Sequence, residues 1–191
     1  PDPESDAAMR TLEASLAIET VERTGGAWPY MQRRAQWGRS NLAALLRADQ
    51  GRAASPKILM KFGYNHMIRG ANYFNFFDIG TMADEVAALT GERAFHILVL
   101  PGPGSRQAVL GGAGFGSALS DSVDELRAGD QRLTRVLSNP NATGHEVFDL
   151  RPLRALAMRG LESWNADVVR TIHGYDAVVI WNGAHASTGL K

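Results

Sequence analysis

Cysteine is absent from all 191 residues, which excludes a disulfide framework, a thiol nucleophile and a thiolate metal site within this chain. Net charge is absent too, because twenty Lys and Arg balance twenty Asp and Glu. Without a basic excess there is no long-range field to draw the chain to a polyanion. Neither nucleic acid nor a membrane is therefore expected as a partner. No apolar run approaches the roughly 20 residues of a membrane helix, and the first residues lack the basic and apolar regions of a secretory signal. A soluble protein is expected, with cytoplasm and periplasm both open. Repeats and charge runs that would mark a boundary are lacking as well.

What is present suits a single α/β domain over residues 1–191, with 45% hydrophobic and 21% charged residues, enough to bury a core without staples. The opening Pro1-Asp2-Pro3-Glu4, without an initiator methionine, leads to the expectation that this is the C-terminal part of a longer protein.

Apolar residues Met9, Leu12, Leu16, Ile18 and Val21 recur mostly at spacings of three and four, which predicts an amphipathic helix from Ser5 to Thr24 that ends at Gly25-Gly26. A second helix is expected from about Pro29 to Arg47, burying Met31, Trp37, Leu42, Leu45 and Leu46. Lys57 to Gly63 reads as a strand. Thr81-Met82-Ala83-Asp84 has the spacing of a capping box, opening a helix that stops at Gly91. Phe95 to Leu100 reads as a strand buried on both faces, followed by a long glycine-rich loop to about Ser120. Helical composition returns over Asp121 to Val136, Asn139-Pro140-Asn141 is a turn, and Glu146 to Leu150 is a short strand. Helices are expected over Pro152 to Arg159 and Glu162 to His173, before a closing strand from Tyr175 to Trp181. This alternation predicts a layered fold with a substantially parallel or mixed sheet flanked by helices. The strands at Lys57, Phe95 and Tyr175 are expected to share that sheet, with ligands gathering beyond their carboxyl ends.

The densest group of chemistry-bearing residues follows the Lys57 strand: His66, with Tyr64, Asn65, Arg69 and Asn72. A neutral imidazole there can accept a proton from water or a hydroxyl, or bind a metal, with Asn65 or a carboxylate fixing its tautomer. Arg69 can clamp an anionic or developing oxyanion group. Gly63 is read as the residue that turns the chain sharply toward a cleft. A loop histidine bonded only to backbone is the plainer alternative. The glycine stretch Gly102 to Gly116 matches neither the P-loop nor the dinucleotide fingerprint and reads as a mobile loop. Ser105 and Ser117 lack the Gly-x-Ser-x-Gly elbow and read as turn residues. His185 lies just past the final strand, His96 reads as a core or edge histidine, and His145 and His173 are given no role. No pair of His, Asp or Glu has a recognised zinc spacing.

Gly63-Tyr64-Asn65-His66 is the one Gly-x-x-His in the chain, and it resembles the motif of the Tiki/TraB superfamily, which includes erythromycin-esterase-like hydrolases and ChaN-like haem-binding proteins. Arg39-Ser40-Asn41-Leu42, Asp78-Ile79-Gly80-Thr81-Met82-Ala83 and Tyr175 to Ile180 are similar to segments of the C-terminal half of the esterase-like branch. The likeness runs from about Arg34 to Ser187. It implies a bacterial hydrolase acting on an ester or related bond, with His66 as acid/base or ligand-binding residue and Asn65 and Arg69 orienting a small-molecule substrate. It also leaves two other classes open, a haem- or metal-binding protein and a non-catalytic interaction module. No cofactor is identified. Esterase-like members carry His-Asn-Gly-His, whereas Gly63 stands here in place of the first of those histidines. The family's other histidine and its acidic residues belong to an N-terminal half, so a missing half or a second copy is expected to complete the site, and the chain alone is expected to have little or no hydrolase activity.

Overall fold

The computed structural model describes residues 2–25, 27–49, 57–101, 107–110, 117–120, 137, 144–160 and 164–182. The chain divides into two compact units, Pro1–Glu92 and Arg93–Lys191. Together the described residues form six helices and a three-stranded mixed sheet, an α/β composition, with a second sheet of two strands. No helix among them is long and apolar enough to cross a membrane.

In the first unit, α1 (Pro3–Gly25) and α2 (Ala27–Ala48) pack on each other. The two helices appear where the apolar spacing places them, but the buried stripe is narrower than expected. Ile18, Ala35 and Leu42 are buried, whereas Met9, Leu12, Leu16 and Leu45 are each more than half exposed. Helical geometry explains the split, because Ile18 lies about 200° around the helix from Leu16 and the two cannot share a face.

Residues 57–63 form no strand, which corrects the sequence expectation. Leu59 is 97% exposed, and Ile58 and Phe62 are half exposed. An apolar run becomes a strand only where an edge offers its hydrogen bonds, and a run this short is ambiguous by itself. The described backbone of this unit offers one isolated bridge, Ala71 to Phe77.

A one-turn helix α3 (Tyr64–Met67) follows, and then α4 (Ile79–Leu89) packs against both α2 and α3. Helix α4 begins before the expected Thr81 box, with Asp78 as its N-cap. It ends as expected at Gly91, whose φ of 73° suits glycine.

The second unit is built on the sheet order β1-β5-β4. Strand β1 (Ile97–Pro101) pairs in parallel with β5 (Ala177–Trp181), and β4 (His145–Asp149) pairs antiparallel with the other side of β5. The strands expected at Phe95 and Tyr175 are thus neighbours, and the third place is taken by β4 rather than by residues 57–63. Leu98, Leu100, Val178 and Ile180 are buried, while Ile97, Val99, Val147 and Trp181 are about half exposed or more. Strand β1 therefore alternates instead of being covered on both faces, and one sheet face is open.

Helices α5 (Leu153–Arg159) and α6 (Ala166–Gly174) complete this unit, the latter capped by the Asn165 side chain. Both lie close to where composition places them. Asp176 ties the elements together: its carboxylate accepts His96 N at 2.8 Å and Arg154 Nη2 at 2.8 Å, and its carbonyl accepts Leu150 N. His96 is buried in this network, in keeping with a core role. Strands β2 (Gln107–Leu110) and β3 (Ser117–Ser120) pair antiparallel within the glycine-rich stretch, β2 falling in the part read as a loop. Gly102 to Ser105, Gly111 to Gly116, the Asp121 to Val136 helix, the Asn139 turn and His185 lie outside the described residues.

Candidate functional site

The site is assembled by the chain reversal between α3 and α4. Gly70 and Asn75 take positive φ of 83° and 61°, the conformation in which glycine and asparagine are tolerated best. Asn72 is the hub of this turn and is fully buried. Its backbone N–H donates to Phe76 O at 3.0 Å, and its side-chain oxygen accepts the N–H groups of Phe74 and Phe76 at 2.9 and 3.3 Å. An asparagine that bonds its own following backbone in this way fixes a tight turn without a longer loop. The turn returns the chain so that Asp78 lies beneath α3.

Gly80 permits the close approach of the two helices. A Cβ at that position would overlap the Met67 carbonyl group and lie 2.8 Å from Ile68 O. Around this contact Ile68 and Ile79 are buried, and the Thr81 hydroxyl donates to Gly70 O at 2.8 Å. Arg39 of α2 adds a contact to Asp78 O at 3.4 Å and a longer pairing with Glu85 at 3.8 Å. The segments of Arg39, His66 and Asp78 thus meet in one unit.

His66 Nδ1 lies 2.7 Å from Asp78 Oδ2. Asp78 is almost fully buried, while the His66 side chain keeps 21% of its surface exposed. No other hydrogen bond to the His66 ring is made among the described residues. The other carboxylate oxygen, Oδ1, accepts Ile79 N at 2.7 Å and so caps α4, and Asn72 Nδ2 approaches Oδ2 at 3.5 Å. A partly accessible imidazole held at one nitrogen by a buried carboxylate can take or give a proton, or donate its lone pair, through the other.

The remaining expected residues occupy different positions. Asn65 Oδ1 accepts Tyr73 N at 2.9 Å, and its Nδ2 is buried without a hydrogen-bond partner. Arg69 Nε is 3.1 Å from Asp84 Oδ2 on α4. Tyr64 meets Tyr73 edge to face, with ring centroids 5.6 Å apart. Gly63 does not act as expected: its φ of −57° and ψ of 145° are open to any residue, and a Cβ there would make only an ordinary 3.7 Å contact with His66 Cδ2. Nor does His66 sit at a sheet edge, since it belongs to a helix turn in the first unit.

The residue that the sequence reading passed over is Asp78. It stands directly before a helix that opens with Ile-Gly-Thr, and an Asp at an N-cap position was the available signal. The Thr81 capping box competed for that assignment and drew the helix start three residues too late.

Among the described residues no group of three His, Cys, Asp or Glu is placed to hold a metal ion. No protein-family model matches the sequence, and no match emerges among curated proteins or solved structures.

Proposed function

We propose that the chain is part of an esterase-like hydrolase in which His66 is the acid/base group. The single observation that carries this reading is the His66 to Asp78 contact, which leaves one nitrogen of a partly exposed ring uncommitted. In the proposed reaction Nε2 takes the proton from a water as it attacks an ester carbonyl. It then returns that proton to the departing alkoxide, giving acid and alcohol as products. Asn65 and Arg69 flank the ring in sequence and support the site through their bonds to Tyr73 and Asp84.

The test is cleavage of p-nitrophenyl esters by the purified chain beside His66→Ala. The expected rate is slow, because one positioned acid/base group contributes about 10²–10⁴-fold, and it is lost in the variant. Cleavage that is absent or independent of His66 overturns the proposal.

A haem-binding reading draws on the same observation, because a carboxylate behind Nδ1 also orients a histidine that ligates through Nε2. Titration with haemin separates the two: a Soret shift lost in His66→Ala, without ester cleavage, favours binding.

A further inference from the structure

We propose that Asp78 is a positioning residue that fixes the tautomer of His66, with its proton on Nδ1 and the lone pair on Nε2. A helix N-cap does not require a charge, since Asn or Ser caps as well as Asp. Here, though, a carboxylate is kept in a site where almost none of it reaches water, and burial of a carboxylate is costly unless each oxygen is used. Oδ1 serves the cap, accepting Ile79 N at 2.7 Å. Oδ2 is aimed at His66 Nδ1 at 2.7 Å, with the fully buried Asn72 amide 3.5 Å away on the same oxygen.

An ionised carboxylate only accepts hydrogen bonds, so the His66 nitrogen facing it must carry the proton. The free lone pair is then on Nε2, the nitrogen from which the proposed base would act.

The assignment makes Asp78→Asn a sharp probe. Ile79 N still requires an oxygen, so the new amide must present its NH₂ group to His66 Nδ1. Nδ1 then becomes an acceptor, the proton moves to Nε2, and the helix cap is kept. The readout is the ¹⁵N spectrum of the histidine rings at about pH 9, above the ordinary imidazole range, with the His66 signals identified by their loss in His66→Ala.

Wild type is expected to show protonated Nδ1 and unprotonated Nε2, and Asp78→Asn the reverse. Where that variant fails to fold, Asp78→Ser keeps a capping hydroxyl and is expected to release the ring to a mixture of tautomers. A wild-type ring protonated at Nε2, or a tautomer unchanged in a folded Asp78 variant, overturns the inference. The activity arm rests on the hydrolase reading: His66-dependent cleavage of p-nitrophenyl acetate should fall about 10²–10⁴-fold in Asp78→Asn, as expected of a base presented in the wrong tautomer. If wild type cleaves no ester, the hydrolase reading falls while the ring spectrum still decides the role of Asp78.

Discussion

Replacing Gly80 by alanine tests whether the close approach of α3 and α4 builds the site. The added Cβ meets backbone rather than a yielding side chain, overlapping the Met67 carbonyl and standing 2.8 Å from Ile68 O. Non-bonded heavy atoms are comfortable at about 3.5 Å, so the start of α4 has to retreat by at least about 0.7 Å. Asp78 begins that helix, and the same shift would stretch its 2.7 Å contact with His66 out of the strong hydrogen-bond range. Forced overpacking costs about 1–3 kcal/mol, and weakening a hydrogen bond to a charged group costs up to about 1.5–3 kcal/mol. A local destabilisation of about 3 kcal/mol is expected. Because the chain has two units, a global unfolding curve is the wrong instrument. Amide hydrogen exchange over Ile79 to Leu89 reads the local free energy directly. Gly63→Ala is the control, since its backbone is ordinary and its nearest contact is 3.7 Å. It should change exchange by less than about 1 kcal/mol. If Gly80→Ala protects α4 as well as Gly63→Ala does, to within about 0.5 kcal/mol, the close approach does not hold the site together.

His66→Ala should lower local stability by about 1–3 kcal/mol, because it leaves the buried Asp78 oxygen without its nearest donor; amide exchange in α4 equal to wild type would refute this. In the second unit, Asp176→Ala removes the acceptor for both His96 N and Arg154, and a loss of about 3–5 kcal/mol is expected from exchange of the β1 and β5 amides. Burial, with the Arg154 guanidinium adding to it, holds the His173 imidazole below its ordinary 6.5. The unfolded chain therefore takes up that proton first, so the contribution to stability is intact above pH 6.5 and is lost as pH falls through the window beneath it. His173→Gln should flatten the melting temperature of the second unit in that window, and an unchanged slope would contradict the assignment. Hydrogen bonds from Arg151 lower the exposed Asp149 carboxyl to about 2. Its contribution is present above about 3.8 and disappears toward pH 2, which ¹³C titration of the carboxyl checks.

Most of the described helices, and β1, β4 and β5 as separate strands though not their pairing, were legible because their signals are local. Helices α1 and α2 declare themselves through apolar spacing, and β5 is a β-branched run between a short turn and a polar exit. The failures share a different cause. Lys57 to Gly63 has the composition of a strand, but strand formation depends on a partner edge that the run does not itself encode. Likewise, the alternation of β1 was hidden because Ile97 and Val99 are apolar although they face the open side of the sheet. Hydrophobic residues are found at the surface far more often than charged ones are found buried, so a run of them cannot say which side is covered.

That asymmetry also explains what was missed at the site. His66 was singled out from the sequence with Asn65 or an unspecified carboxylate to hold its ring, and the carboxylate that meets it is Asp78. In α3, a single helical turn, consecutive side chains diverge by about 100°, so Asn65 bonds Tyr73 instead, and Arg69, two residues past the helix, pairs with Asp84. The partner lies twelve residues on, brought back by a turn whose geometry is set by Asn72 and Gly70. A buried aspartate is a more informative residue than an exposed histidine, because a carboxylate survives burial only where its oxygens are claimed. Two residues of the Asp78-Ile79-Gly80 segment therefore determine whether the His66 ring meets a carboxylate at all. Gly80 admits α4 to within reach of α3, and Asp78 then meets the ring.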